Sequence, residues 1–317
     1  MSIEYAALFQ KELDQAAVAA ATSGWMEANA GLVKYSGGRE VKIPKVAMDG
    51  LADYDRAKGF VDGSVTFEYQ TVEMTQDRGR RFQIDENDVD ETGFALTAAS
   101  LMGEFQNTKV IPEIDAYRYS TIAQKCIAGA ELAGYGYTPS ESSILKTLLD
   151  DIAKVQDIAG ETAALVISMS IPVWTVLNNS EKLQKRLDVT DFQKGDVTTR
   201  VKSLDGMYPI IPVPSARMKT KYTFNDGTTS GQEKGGFAAA ADALDINWII
   251  MPRTAPIAVS KTDKMRIFDP ETNQDARAWR TDYRKYHDIW IPSNKLAACY
   301  TNIKQAKPAS GGTEEKG

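Results

Sequence analysis

The sequence is poor in the residues that most metal and thiol sites require. Its 317 residues include one histidine, His287, and two cysteines, Cys126 and Cys299. Zinc sites and disulfide frameworks each need several histidines or cysteines, so both kinds of site are excluded. We expect His287 to be a partly buried strand residue, and we expect both cysteines to be small buried hydrophobic residues.

Long apolar runs, a basic leader and an excess of positive charge are also missing. The longest apolar stretch, residues 163–177, is interrupted by Ser168, Ser170 and Pro172 and is shorter than the roughly 18 residues of a membrane span. The first residues contain no basic segment of the kind that opens a signal peptide. With 37 Lys and Arg against 43 Asp and Glu, the net charge is −6, which argues against a dedicated nucleic-acid-binding protein with a basic surface. These features predict a soluble protein made in the cytoplasm, with no membrane partner.

Motifs that carry common chemistry are missing as well. The sequence contains no phosphate-loop motif, no dinucleotide-binding glycine motif and no nucleophile elbow. The acidic cluster at residues 85–91 begins like a calcium loop, but Val89 and Asp90 stand where that loop needs a ligand and a glycine. Carboxylates at a helix N-terminus explain the cluster better. We therefore predict no catalytic residue, no cofactor and no metal site, and an enzyme that uses the acidic cluster stays a third alternative.

A long hairpin is predicted over residues 39–81. Two runs there alternate apolar and polar residues, with a connection at 49–64, and Pro44 places its strand at an edge. An isolated two-stranded ribbon is marginally stable in water. Because neither flanking segment resembles a sheet that could cover one face of the ribbon, we infer that a neighbouring subunit covers it.

The charged residues of this segment support contacts between copies of the chain. Residues 39–81 contain eight basic and eight acidic side chains, a balance that suits self-complementary contact. A solvated hairpin with ordinary surface charges is the alternative. The candidate inter-subunit residues in the hairpin and at its base are Lys42, Lys45, Arg56, Lys58, Glu68, Asp77, Arg78, Arg80 and Arg81.

A second group of cations stands at alternate positions further along the chain. Arg217, Lys219 and Lys221 would all point to one side of a strand, where they could contact DNA phosphates or a scaffolding protein. The alternative is a solvated basic face that is paired with acidic neighbours.

The remaining patterns predict helices and strands in an α+β arrangement of about two domains. A helix from 88 to 108 has Phe94, Ala98, Leu101 and Phe105 on one apolar stripe. Other helices are predicted at 3–22, 112–126, 138–160 and 180–187. Strands or extended runs are predicted at 163–169, 207–213, 247–251, 256–268, 278–290 and 297–303.

This order of elements resembles the major capsid proteins of tailed bacteriophages with the Hong Kong 97-type fold. The runs that carry the resemblance are TQDRGRRF at 75–82, VIPEIDAYR at 110–118 and KMRIFDPETN at 264–273. The resemblance implies an N-terminal arm (1–38), an extended E-loop (39–84), a P-domain with a long spine helix (85–124 and 256–292), an α/β A-domain (125–255 and 293–306) and a flexible tail (307–317).

The function implied by the resemblance is structural. Copies of the chain would form hexamers and pentamers that close into an icosahedral head around double-stranded DNA. The chain would be located in the virion and assembled in the host bacterial cytoplasm. Its partners would be other copies, a separate scaffolding protein, a portal protein and packaged DNA held by non-specific contact. No covalent crosslink through Lys58 is predicted. The alternative within this fold is an encapsulin-type nanocompartment shell with protein cargo.

Overall fold

The computed structural model describes residues 21–54, 56, 59–85, 101–129, 131–180, 187–194, 197–273 and 275–308. Several predictions lie outside the described residues. They are most of the helices at 3–22 and 180–187, the first part of the helix at 88–108, Lys58, the acidic cluster beyond Asp85, and the tail from residue 309.

The strands and helices have the following bounds. The strands are β1 (Lys34–Gly37), β2 (Glu40–Met48), β3 (Val65–Glu73), β4 (Gln76–Asp85), β5 (Ala133–Gly134), β6 (Leu165–Ser170), β7 (Leu187–Lys194), β8 (Val197–Leu204), β9 (Tyr208–Val213), β10 (Tyr222–Phe224), β11 (Phe237–Ala239), β12 (Ile246–Pro252), β13 (Ile257–Phe268), β14 (Ala278–Trp290) and β15 (Tyr300–Ile303). The α-helices are α1 (Ile111–Ala128), α2 (Ile144–Ala159), α3 (Ile171–Asn179) and α4 (Ser293–Leu296), and 3₁₀ helices span Gly24–Leu32 and Ser215–Arg217.

The largest core surrounds a seven-stranded sheet with the order β5-β15-β12-β6-β9-β8-β7. Successive strand residues point to opposite faces, so in β6 Val166 packs in the same cluster as α1 while Leu165 and Ile167 pack with α2 and α3. Helices thus lie on both faces of the sheet. The predicted strands at 163–169, 207–213 and 247–251 are confirmed, and so is the α/β character of this part.

A second sheet consists of three long antiparallel strands in the order β13-β14-β4. The β13–β14 pairing runs from Ile257 opposite Trp290 to Phe268 opposite Arg280, which confirms the two predicted extended runs. Strand β4 joins the free side of β14, from Gln76 opposite His287 to Asp85 opposite Ala278. The sequence pattern did not predict this third strand in the sheet.

The hairpin is confirmed, but it ends at Glu73 and not at residue 81 as predicted. Strands β2 and β3 pair from Glu40 opposite Glu73 to Met48 opposite Val65, and the connection occupies residues 49–64 as expected. Strand β1 pairs with the first part of β2 only, up to Lys42. Pro44 therefore lies beyond the end of β1 and has a neighbouring strand on one side, as its missing N–H requires.

The helix that precedes α1 does not end where it was predicted to end. Residues 101–105 are α-helical, residues 106–110 form a π turn, and the chain then continues into α1 without leaving helical backbone angles. Pro112 was predicted to open a separate helix. The wide π turn instead accommodates the proline ring, which would clash with the carbonyl four residues earlier in a regular α-helix.

Two further predictions need correction, and two strands were missed. Helix α2 begins at Ile144, so the capping box predicted at 138–141 precedes the helix by one turn, although Gly160, with φ of 87°, ends it as predicted. Strands β7 and β8 were not predicted. Residues 215–217 form a 3₁₀ turn, so the alternating strand predicted for the cations at 217–221 is wrong.

Candidate assembly surfaces

The base of the hairpin is covered by its own chain. Val41 and Ile43 of β2 are buried in a cluster with Ile257 and Val259 of β13 and with Tyr286 of β14. The inference that the whole ribbon lacks an internal cover is therefore wrong for this half. The long-range contact with the second sheet supplies the apolar surface that the flanking sequence does not.

The far half of the hairpin exposes an apolar face. Cross-strand pairing places Met48 opposite Val65, and strand alternation puts Phe67 and Tyr69 on the same side as Val65. Met48, Val65 and Phe67 are 72%, 69% and 57% exposed. The rings of Phe67 and Tyr69 meet edge to face at 5.2 Å, so the two aromatic side chains form one continuous surface. We call Met48, Val65, Phe67 and Tyr69 the distal apolar face.

The opposite side of the same half is polar. Thr66, Glu68 and Gln70 alternate with the apolar residues along β3 and are all exposed. Antiparallel sheets that cover a core have this division into one apolar and one polar face. Within the described residues no core lies against the apolar side. The distal half therefore has the residue pattern of a sheet that covers a core, although its apolar side is exposed to solvent.

The tip of the hairpin is closed by one aspartate. The Ser64 N–H donates to Asp49 Oδ2 at 2.7 Å, and the Asp49 N–H donates to the Ser64 carbonyl at 3.1 Å. Beyond this closure Tyr54 and Phe60 pack together at 4.8 Å between ring centroids, yet Phe60 stays 88% exposed. The tip thus extends the exposed apolar surface of the ribbon.

Some of the predicted contact residues lie on this ribbon or its tip. Lys42 lies in the covered half, Glu68 is exposed on the polar side, and the backbone of Lys45 is opposite Glu68. Arg56 is exposed in the tip. Their contact with another copy stays a prediction.

The predicted contact residues of β4 have partners inside the chain. Arg78 Nε donates to Glu113 at 2.6 Å, Arg81 pairs with Asp282, and Arg284 pairs with Asp77. The hydrogen bonds and charge of Arg284 hold the pKa of Asp77 below its usual range. Arg80 donates to the carbonyl of Glu233. These four residues fix β4 to its surroundings, and any contact between subunits would have to use what remains exposed of them.

The cations at 217–221 also have internal partners. Lys219 pairs with Asp245 and Lys221 pairs with Asp242, both at 2.6 Å. Arg217 Nη1 donates to the buried Asp115 at 3.0 Å. Pairing with acidic neighbours was the alternative reading, and the three cations do not share one strand face. Contact with DNA or a scaffold stays a prediction.

Asp115 lies at the centre of a polar cluster that the sequence did not reveal. Its two carboxylate oxygens accept hydrogen bonds from the backbone N–H and the hydroxyl of both Thr22 and Ser23, at 2.5–3.1 Å. Together with Arg217, these five donors satisfy a carboxylate that is fully buried on α1. The segment that enters from the N-terminal side is thereby fixed to α1.

The histidine and the two cysteines lie in the interior, as expected for the cysteines, and His287 is more deeply buried than predicted. His287 is buried in β14, and Cys126 and Cys299 are both buried. Burial raises the pKa of the Cys126 thiol to about 11, which keeps it protonated and unreactive at neutral pH. In the part of the chain that the structure describes, no three His, Cys, Asp or Glu residues are grouped as metal ligands would be. None of the described helices combines the length and apolar character needed to cross a bilayer.

Comparison with known proteins rests on structure alone. No protein-family model matches the sequence, and no curated protein matches it. The capsid structure of cyanophage P-SCSP1u is similar over 85% of this chain and 84% of its own, with a TM-score of 0.54 and 10% identity. The mature capsid of bacteriophage PhiM1 matches over 84% and 82%, with a TM-score of 0.53 and 13% identity.

A third solved structure agrees with these two. The capsid of Staphylococcus phage Andhra matches 86% of this chain and 82% of its own, with a TM-score of 0.52 and 11% identity. The chain therefore has the mixed helix-and-sheet fold of tailed-phage capsid proteins. The Hong Kong 97-type fold that the order of elements implied is confirmed.

Proposed function

We propose that this chain is the major capsid protein of a tailed bacteriophage, and that its copies assemble into hexamers and pentamers of an icosahedral head. The single observation that carries the proposal is the distal apolar face on a chain with a phage-capsid fold. An exposed apolar patch of this kind marks a protein interaction site, and a strand-rich ribbon is an aggregation hazard unless it has a partner.

Closed symmetry explains how one ribbon per subunit can serve the whole shell. Each copy donates its distal apolar face to a neighbour and receives the face of another copy. In a closed ring or shell every such face is covered, because a heterologous contact that closes leaves no free end. Many modest contacts then add up to a stable assembly.

The proposed roles of the parts of the chain keep the order of domains predicted from the sequence, except that β4 (Gln76–Asp85) is assigned to the P-domain because it pairs with β14. In this proposal the E-loop corresponds to the hairpin, the P-domain combines the second sheet with the long helix, and the A-domain is the seven-stranded sheet with its helices. Residues 1–38 are the N-terminal arm in this proposal, and Thr22 and Ser23 within it hydrogen-bond to Asp115 of α1.

The proposed partners extend beyond other copies of the chain. The shell encloses double-stranded DNA through non-specific contact, is built with a separate scaffolding protein, and has a portal protein at one vertex. The virion is the final location, and assembly takes place in the host bacterial cytoplasm.

The test is the assembly state and the content of the assembled particle. The purified chain should sediment as rings or shells in analytical ultracentrifugation, with closed particles in electron micrographs. A chain that stays monomeric at high concentration and physiological salt would contradict the proposal. Particles from infected host cells should protect DNA from nuclease. Shells that hold protein and no DNA would instead support the encapsulin-type alternative.

A further inference from the structure

A cleft of about 660 Å³ lies on the side of the second sheet that faces away from the hairpin. Strand alternation places Lys285 and His287 of β14 on the cleft side, whereas Tyr286 between them packs against the base of the hairpin. The other walls are β4, the π turn at 106–110 with the start of α1, and the loop at 225–236 that joins β10 to β11. The cleft is therefore separate from the distal apolar face.

Positive charge predominates among the described residues that line the cleft. The cations are Arg78, Arg80, Lys109, Lys234 and Lys285, and the acids are Asp77, Glu113 and Asp226. Two of the three acids are paired with arginines, since Glu113 accepts from Arg78 and Asp77 accepts from Arg284.

The third acid is used within its own loop. Asp226 accepts hydrogen bonds from the Thr229 hydroxyl and from the backbone N–H groups of Thr229 and Thr228, and these bonds hold its pKa below its usual range. Arg80, Lys109 and Lys234 have no carboxylate partner among the described residues. Three cations of the cleft are thus available to an incoming anion.

The loop at 225–236 holds the Arg80 guanidinium at the cleft. Arg80 Nη2 donates to the Glu233 carbonyl at 3.2 Å. A Cβ at Gly227 or Gly235 would lie 3.1 or 3.4 Å from Arg80 Nη1, and both glycines have positive φ. Glycine therefore permits this backbone to close around the cation.

The buried His287 is a second and independent sign of a ligand. The side chain lines the cleft, the residue is 3% exposed, and its Nδ1 has no hydrogen-bond partner among the described residues. A buried polar nitrogen without a partner is costly, and it is rare in native structures. Burial, followed by the charges of Arg118, Lys285 and Arg78, lowers the pKa of His287 well below its ordinary value. The neutral ring can donate one N–H to an acceptor in the cleft.

We propose that this cleft binds a phosphate oxyanion, with Arg80, Lys109 and Lys234 as the cationic contacts and His287 as a neutral hydrogen-bond donor. Guanidinium and ammonium groups form strong charge-assisted hydrogen bonds to phosphate oxygens. The uncompensated cations would repel a metal ion. The same oxyanion can be supplied by free phosphate or pyrophosphate, or by the backbone of a nucleic acid. The proposal goes beyond shell assembly and can be tested whether or not the chain assembles.

The experiment uses the full chain labelled with ¹³C in histidine. Because His287 is the only histidine, its ring gives one signal that reports on the cleft, in solution for subunits or by magic-angle spinning for shells. Pyrophosphate is titrated in one series and a short DNA duplex in another, with isothermal calorimetry in parallel. The test variant carries Lys109→Gln and Lys234→Gln, and the matched control carries Lys146→Gln on the exposed side of α2.

Saturable binding with a shift of the histidine signal supports the proposal. A response to pyrophosphate identifies free phosphate as a sufficient ligand, and a response to the duplex alone identifies a nucleic-acid backbone. The double variant should bind about tenfold more weakly, since two positive charges near the oxyanion are lost, while Lys146→Gln should bind like the parent. The proposal is overturned if neither ligand moves the histidine signal, or if the double variant binds as tightly as the control.

Discussion

Replacement of Phe67 by serine tests whether the distal apolar face holds subunits together. Phe67 is 57% exposed in the single chain, and burial of a whole phenylalanine side chain contributes about 1.5–3 kcal/mol. Contact with a neighbour that covers the exposed part of the ring should therefore contribute about 1–2 kcal/mol to the free energy of assembly. Each copy in a closed ring or shell donates one such face, so this is the loss per subunit.

The lost free energy of assembly determines how far the subunit concentration needed for assembly should rise. At about 1.4 kcal/mol for each factor of ten, Phe67→Ser should raise the subunit concentration at which assemblies form by about 5–30-fold. Light scattering and analytical ultracentrifugation over a dilution series measure this threshold. The free energy of unfolding of the subunit, measured by thermal denaturation, should change by no more than about 0.5 kcal/mol, as for other surface substitutions.

The matched control is Gln70→Ser, on the same strand and the opposite face. Gln70 is exposed on the polar side of the ribbon, so its replacement should leave the assembly threshold unchanged. An equal threshold for Phe67→Ser and the parent protein would refute the role given to the distal apolar face. A large loss of subunit stability in Phe67→Ser would show that the face is already covered within one chain.

Three other predictions concern the subunit itself. Asp115→Ala leaves the two buried donors of Ser23 and the partly buried donors of Thr22 and Arg217 without their acceptor. It should cost about 3–5 kcal/mol in urea unfolding, and a cost below about 1 kcal/mol would contradict the central role of this carboxylate. Phe105→Ala removes ring contacts with two aromatic side chains and should lower the free energy of unfolding by about 3 kcal/mol. The control Glu104→Ala, at an exposed position, should lower it by no more than about 0.5 kcal/mol, and equal unfolding midpoints of the two variants would refute this packing. The pKa of His287 is lowered in the folded chain, so below about pH 6.5 the unfolded chain binds a proton that the native chain does not. The free energy of unfolding should therefore decrease by up to about 1.4 kcal/mol for each pH unit that the pH falls below that value. His287→Gln should lack this pH dependence, and identical pH profiles of the two proteins would contradict the prediction.

Long strands that flank a clear turn were predictable from the sequence. The extended runs of β13 and β14 were placed to within one residue, because a turn-forming segment at 269–273 separates them. Strands β7 and β8 were missed because each has only three apolar residues in eight. Their place at the edge of the large sheet is determined by pairing with β9, which no local pattern contains.

The helix before α1 shows a conflict between local signals and tertiary structure. Proline commonly opens a helix, so Pro112 predicted a boundary that the π turn at 106–110 removes. The apolar stripe was also partly misplaced. Leu101 is exposed, whereas the adjacent Met102 is buried. Phe105 was placed correctly and packs against Phe82 and Tyr283.

The need of the ribbon for a cover was predictable from the sequence, but the contact residues predicted there were charged, and the distal apolar face was not among them. The alternation of Val65, Phe67 and Tyr69 identified a ribbon that needs a cover, and the structure confirms that its far half has none among the described residues. The count of charged residues also predicted contacts for β4, but those side chains pair inside the chain, because β4 lies beside β14 and close to α1 and the loop at 225–236. Which half of the ribbon is exposed depends on contacts between segments that are distant in the sequence, and these cannot be inferred from the local pattern.

The division of the hairpin into a covered half and an exposed half has a consequence for its backbone dynamics. The amides near Val41 and Ile43 belong to a core that is complete in one chain, and their hydrogen exchange should follow the unfolding of the subunit. The amides from Val65 to Tyr69 lie in a ribbon with no such core, so they should exchange rapidly in free subunits and slow down on assembly. The local stability of one strand pair would then depend on protein concentration at one end and be independent of it at the other.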